Sequence, residues 1–251
     1  MKKNLGQHFL YNRQIVQQIV KTAELEPDDL VIEIGPGLGI MTTMLAEIVK
    51  KVIAIELDHT LFNRLQTTFA SYKNIELIHG DAMKYPYEFL PYFKVVANIP
   101  YYITTPIIFR LLEAKKHLKS MTLTVQKEVA ERIIAKPGGK AYGVLTIMVQ
   151  YHGHSTLKFL IPKKAFRPVP EVDSAVVHIR ILEKPPVDVK DNNLFFRIIK
   201  TAFSQRRKML SNSLKSICPD TKEWLKRISI DPERRPETLS IEEFALLANS
   251  L

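Results

Sequence analysis

Leu30-Val31-Ile32-Glu33-Ile34-Gly35-Pro36-Gly37-Leu38-Gly39 is the stretch that decides the fold. Four branched apolar residues around Glu33 read as a buried strand, and the three glycines after them make a turn whose backbone can approach a ligand closely. Leu38, Met41, Leu45, Ile48 and Val49 then recur at helical spacing, so a helix is expected over Leu38–Val49. Strand, glycine turn and helix in that order open a nucleotide-binding α/β unit. A dinucleotide fingerprint would need glycine at position 40, which is Ile40, so a pyrophosphate cradle is poorly matched. S-adenosylmethionine is the other user of such a turn.

Working outward, strand-like runs alternate with helix-length segments through the first two thirds of the chain. Strands are expected at Leu30–Ile34, Val52–Glu56, Ile75–His79, Lys94–Asn98, Met121–Val125, Thr156–Leu160 and Ala175–Ile181, and a helix over Pro106–Glu113. The fold class is α/β, with a mostly parallel sheet covered by helices. The last two strands have no helix between them and should pair antiparallel. Adjacent prolines in Glu183-Lys-Pro-Pro-Val187 mark a linker, dividing the chain into 1–184 and 185–251. The second part should be a small helical domain with helices at Leu194–Phe203, Arg206–Ile217, Thr221–Ile228 and Ser240–Asn249, the last opened by Ser240 and Glu243 in capping-box spacing.

Composition limits the partners. Among 251 residues, 36 Lys and Arg stand against 26 Asp and Glu, a formal net charge of +10, which favours polyanions and above all nucleic acid. Cys218 is the sole cysteine, so an internal disulfide, a cysteine-rich zinc site and a CxxC redox pair are ruled out. The basic start has no apolar core of the secretory kind and no stretch approaches a membrane span. A soluble cytoplasmic protein, with no membrane partner and no metal, is expected.

The chemistry-bearing residues fall at the ends of the expected strands. Glu56 closes the second strand about 20 residues after the glycine turn, where an acid accepts hydrogen bonds from ribose hydroxyls. Asp81, in Gly80-Asp81-Ala82 after the third strand, is suited to accept from an adenine amine, or simply to cap the next segment. Asn98-Ile99-Pro100-Tyr101 closes the fourth. A nucleobase amine is a poor nucleophile because its lone pair is delocalised into the ring. Asn98 offers a side-chain acceptor, and Pro100, lacking an N–H, leaves the Ile99 carbonyl free to project beside it. Tyr101 offers a stacking face. Methyl transfer to a base amine is the chemistry this set suits.

These residues, with Gly6-Gln-His-Phe-Leu10, Gln126-Lys-Glu-Val-Ala130, Phe166-Arg-Pro-Val-Pro170 followed by Val172 and Ser174, and Gln205-Arg-Arg-Lys208, resemble the KsgA-type rRNA adenine N6-dimethyltransferases nearly end to end. The resemblance implies a Rossmann-like class I methyltransferase domain with a helical C-terminal domain. It implies dimethylation of two adjacent adenosines near the 3′ end of 16S rRNA in the small ribosomal subunit, by a monomer, with S-adenosylmethionine converted to S-adenosylhomocysteine. It assigns His8, Leu10, Gly35, Gly37, Glu56, Leu57, Asp81, Ala82 and Asn98 to the cofactor. It assigns Asn98, Ile99, Pro100, Tyr101 and Phe166 to the target adenine, the two aromatic rings lying on either side of the base. Arg132, Lys136, Lys140, Arg167, Arg206, Arg207 and Lys208 are the candidate RNA contacts. An Erm-type methyltransferase of 23S rRNA and a non-catalytic assembly factor are the alternatives; Gln205-Arg-Arg-Lys208 and the length of the Gly138–Gly143 region favour the small-subunit enzyme.

Overall fold

The computed structural model describes residues 7–251, so Gly6 of the N-terminal motif lies outside the described residues. The elements, in chain order, are β1 (Phe9–Leu10), α1 (Arg13–Thr22), β2 (Leu30–Ile34), α2 (Ile40–Ala46), β3 (Lys51–Glu56), α3 (His59–Phe69), β4 (Ile75–His79), β5 (Phe93–Asn98), α4 (Thr104–Glu113) and β6 (Leu118–Gln126). They continue as α5 (Lys127–Ile133), α6 (Val144–His152), β7 (Gly153–Ile161), β8 (Phe166–Arg167), β9 (Ser174–Ile181), α7 (Asn192–Ser204), α8 (Leu210–Ser213), α9 (Thr221–Arg227) and α10 (Ile241–Asn249).

The chain forms two compact units, 1–130 with 154–181, and 131–153 with 182–251. This differs from the single boundary expected at 184/185. The reason is apolar: Tyr142, Ile147 and Tyr151 are buried in one cluster with Phe195, Ile199 and Phe244, so the segment that carries α6 belongs to the helical unit although β7 and β9 follow it in sequence.

The first unit is built on a sheet of order β4-β3-β2-β5-β6-β9-β7. Strands β2 to β6 run parallel to their neighbours and β9 runs antiparallel to β6. The chain moves outward from β2 to β4 and then crosses to β5 on the other side of β2. Strand order therefore reverses between β2 and β5, the place where open α/β sheets bind ligands. These two strands pair at Val31↔Lys94 and Ile32↔Val95. The β5–β6 ladder, by contrast, continues to Asn98↔Thr124.

One face of this sheet is closed by α1 and α2. Val16, Ile19 and Val20 of α1 and Met41 and Leu45 of α2 pack on Val31, Val52, Val96 and Val176. Burying each aliphatic side chain contributes about 1.5–3 kcal/mol. The α1 helix begins where Asn12 accepts hydrogen bonds from the Gln14 and Ile15 amides at 2.9 and 3.2 Å. The α2 helix begins two residues later than its apolar spacing predicts, because Gly39 at its N-cap has φ +81°. A Cβ there would lie 2.8 Å from Phe69 and 2.9 Å from Leu65.

In the helical unit, Trp224 is buried and its indole N–H donates to Ser250 Oγ at 2.8 Å. The capping box of α10 is formed as expected, the Ser240 amide donating to Glu243 at 2.8 Å and the Glu243 amide to Ser240 Oγ at 3.3 Å. The helix expected over Arg206–Ile217 is not: residues 205–208 form a turn, and only Leu210–Ser213 is helical.

Candidate active site

A hollow of about 440 Å³ opens at the carboxyl ends of β2 to β5. Its lining brings together Gly35 and Gly37 after β2, Glu56 and Leu57 after β3, and Asp81 and Ala82 after β4. Asn98, Ile99, Pro100 and Tyr101 after β5, with His8 beside β1, line it as well. The loops are adjacent because parallel strands end at one edge.

The turn after β2 is shaped by its glycines. Gly37 has φ +58°, and a Cβ on it would lie 3.0 Å from the ring of Phe9. Its amide instead donates to Glu56 Oε2 at 3.3 Å, while the Asp58 amide donates to Oε1 at 2.8 Å. Burial raises the Glu56 carboxyl above its ordinary range, and these amides oppose the shift. Asp81 Oδ1 accepts from the Met83 amide at 2.9 Å, so Asp81 does cap its own turn; among the described residues its second oxygen makes no such bond. Leu57, 47% exposed, lies between the two acids in sequence and lines the same hollow.

The Asn98 amide nitrogen donates to the His8 carbonyl at 3.1 Å, which leaves Oδ1 as the outward acceptor. The Ile99 N–H is spent on the Thr124 carbonyl at 3.2 Å. Tyr101 hydrogen-bonds Ser174 Oγ at 2.7 Å and its ring sits 5.4 Å from that of His8. His8 Nδ1–H in turn donates to the Pro168 carbonyl at 2.7 Å.

Two expected contacts fall elsewhere. Phe166 does not flank the hollow: it is fully buried among Leu10, Val16, Val31 and Val96, beneath the β1–β8 pair. Apolar burial has taken the ring that the family pattern assigns to the base. Leu10 likewise faces inward, lining a smaller neighbouring hollow with Val16 and Met41 rather than the larger one.

Sequence reasoning missed Phe9, Met83 and Tyr102, all of which line the main hollow. Phe9 belongs to the Gly6–Leu10 motif, and the alternation of a two-residue strand turns it opposite to Leu10. Tyr102 is 57% exposed, and its hydroxyl is shifted upward first by burial and then by the charges of Asp81 and Glu56.

Glu33, fully buried at the end of β2, has its carboxyl pushed up to about 8, chiefly by burial and also by the nearby Glu56 charge. The Thr42 hydroxyl beside it opposes the shift; Glu33 lines the smaller hollow, and among the described residues its Oε2 has no partner within hydrogen-bond distance.

Arg167, in the first unit, is exposed on β8. In the helical unit Lys136, Lys140, Arg207 and Lys208 are exposed, and Arg206 donates to the Gly139 carbonyl at 3.1 Å. That bond joins the basic turn 205–208 to the turn containing Lys140. Arg132 lies in the last turn of α5, its carbonyl accepting from Thr146 Oγ1. Among the described residues no helix is long and apolar enough to cross a membrane.

The family described as ribosomal RNA adenine dimethylase matches residues 1–251. A ribosomal RNA small subunit methyltransferase A of Clostridium botulinum is 46% identical over 99% of this chain and 93% of its own length. Among solved structures, a dimethyladenosine transferase from Plasmodium falciparum superposes with TM-score 0.80 at 29% identity, over 96% of each chain. The 23S rRNA methyltransferase ErmE superposes with TM-score 0.75 at 26% identity, over 97% of this chain and 99% of that one.

Proposed function

This chain belongs to the ribosomal RNA adenine dimethylase family, and on that footing we propose that it dimethylates the N6 amine of adenosines in small-subunit rRNA with S-adenosylmethionine as donor. The two target nucleotides would be adjacent adenosines near the 3′ end of 16S rRNA, and the enzyme would act in the cytoplasm during ribosome biogenesis. The large-subunit alternative is weaker, since the relatives at 46% identity carry the small-subunit name while ErmE stands at 26%.

The residues fit this donor. Glu56 presents a buried carboxylate for ribose hydroxyls, Asp81 an oxygen for the adenine amine, and Leu57 an apolar surface for the ring between them. Gly35 and Gly37 leave room for the methionine portion. When bound, the donor supplies a methyl carbon made electrophilic by its positive sulfur.

The chain's own residues prepare the nucleophile. An adenosine leaves its stack, at a cost of a few kcal/mol unless the RNA is already open. Tyr101, its hydroxyl held by Ser174, offers the ring on which the base rests. Asn98 Oδ1 and the Ile99 carbonyl accept the two amine hydrogens, which favours a pyramidal nitrogen with its lone pair aimed into the hollow. Most of the rate comes from this positioning. The nitrogen becomes acidic as it bonds to carbon, so water takes the proton afterwards and no strong base is required. In the helical unit, the turns carrying Lys140 and Arg206-Arg207-Lys208 supply phosphate contacts.

One observation carries the proposal: Asn98, oriented by its bond to His8, shares a hollow with Glu56 and Asp81. The test is incubation with labelled S-adenosylmethionine and unmethylated small and large ribosomal subunits, followed by mass spectrometry of the nucleosides. Dimethyladenosine in the small subunit is expected. Label only in the large subunit selects the Erm-type reading, and no label in either selects the non-catalytic one.

A further inference from the structure

Tyr11, Asn12, Lys164, Ala165 and Arg167 surround a second, shallow hollow of about 560 Å³ on the first unit. None of them lines the cofactor hollow, yet the two are neighbours. Phe9, in the wall of the main hollow, is paired across the β1–β8 ladder with Arg167, in the wall of the second. Paired residues on antiparallel strands are about 5 Å apart.

The chemistry of this second hollow is that of a nucleotide site. Tyr11 is 49% exposed, an aromatic face left open to solvent. Lys164 and Arg167 are exposed, and neither has a carboxylate partner among the described residues. Their neighbour Lys163 is spent differently, its Nζ donating to the Glu171 carbonyl at 3.2 Å. The ten-residue helix α1 starts at this wall, adding the positive end of its dipole, and its first residue is the exposed Arg13. An open ring with two uncommitted cations beside it suits one base and one phosphate.

We infer that this hollow holds a nucleotide of the RNA strand flanking the target adenosine, its base on Tyr11 and its phosphate between Lys164 and Arg167. The inference rests on the RNA-methylating reading above. It sets the reacting base and its neighbour in the strand side by side on the one face of the β1–β8 pair from which Phe9 and Arg167 both project. Because the contacts are a stacking face and phosphate cations, the subsite favours single-stranded RNA with little base preference.

The experiment is fluorescence anisotropy of 5′-fluorescein-labelled single-stranded octa-adenylate across a potassium chloride series. Wild type is compared with Tyr11→Ala, Tyr11→Phe and the double variant Lys164→Gln/Arg167→Gln. The double variant is expected to bind at least tenfold more weakly and to lower the salt slope by about 1.4, since each lost phosphate contact in single strands removes about 0.7. Tyr11→Ala should weaken binding about tenfold, and Tyr11→Phe should match wild type. Calorimetric binding of S-adenosylmethionine and thermal unfolding should be unchanged in all of them. Affinities within twofold of wild type with the same salt slope overturn the subsite, as does a loss seen only with double-stranded RNA. Unchanged affinities alongside normal methylation of small-subunit RNA overturn the subsite and leave the proposed function intact. Weakened binding by the variants, with no methylation of any RNA by wild type, supports the subsite and overturns the proposed function.

Discussion

The side-chain amide of Asn98 donates to the backbone carbonyl of His8 across 3.1 Å, although ninety residues separate them in the chain. The same bond holds the N-terminal segment over the hollow and turns the Asn98 oxygen outward. Asn98→Asp removes the donor and sets a carboxylate against a carbonyl. Amide hydrogen exchange at residues 7–12 should accelerate about tenfold or more, in line with the loss of one bond plus a repulsion. Unchanged protection there would mean that the segment is held by other contacts.

Tyr101 separates stacking from hydrogen bonding. Tyr101→Phe loses the Ser174 bond, worth about 0.5–1.5 kcal/mol, but keeps the ring. Tyr101→Ala loses the ring as well, and stacking is worth about 1–3 kcal/mol per base. Steady-state kinetics should therefore give Tyr101→Ala a kcat/KM for RNA about 5- to 100-fold below wild type, with Tyr101→Phe much nearer to it.

Phe166 should behave as a core residue. Truncation to Ala leaves a cavity among Leu10, Val16 and Val96 and should cost about 3–5 kcal/mol in urea unfolding, with Phe166→Leu recovering most of it. A stable Phe166→Ala variant that loses only RNA affinity would return the ring to the target base.

Glu33 makes stability depend on pH. Its carboxyl titrates at about 8 in the folded chain, against an ordinary value of 4.5. Between those values the unfolded chain releases the proton and the folded chain keeps it, so stability falls as pH rises through this window, by about 1.4 kcal/mol per unit. Glu33→Gln lacks this dependence. Its melting temperature should exceed that of wild type by a margin that is small at pH 5 and widens toward pH 8; a constant margin would contradict the assignment.

Where local chemistry decides, the sequence was readable. Leu30–Ile34 and Ile75–His79 are strands to the residue, because short apolar runs bounded by turn residues leave few alternatives. Glu56, Asp81 and Asn98 could be brought to one site from order alone, since parallel strands deliver their ends to one edge. What failed depends on distant partners. Helix α8 starts late because the Leu210 and Ser211 amides are taken by the Arg234 and Pro232 carbonyls, at 2.8 and 3.1 Å. Apolar periodicity carries no trace of those bonds. Residues 131–153 joined the helical unit through Tyr142 and Tyr151, whose partners lie on the far side of β9 in sequence. That Phe166 faces the core and Phe9 the hollow does not show in the sequence either, because two-residue strands are too short for alternation to tell which ring is buried.

The central claim is that Asn98 and the Ile99 carbonyl position the adenine amine, and a single-turnover assay of Asn98→Ala at saturating S-adenosylmethionine tests it most directly. Dimethyladenosine formed in small-subunit RNA is quantified by mass spectrometry. The account predicts a transfer rate at least 100-fold below wild type, as when an active site loses one preorganised polar group. A rate within threefold of wild type would contradict it.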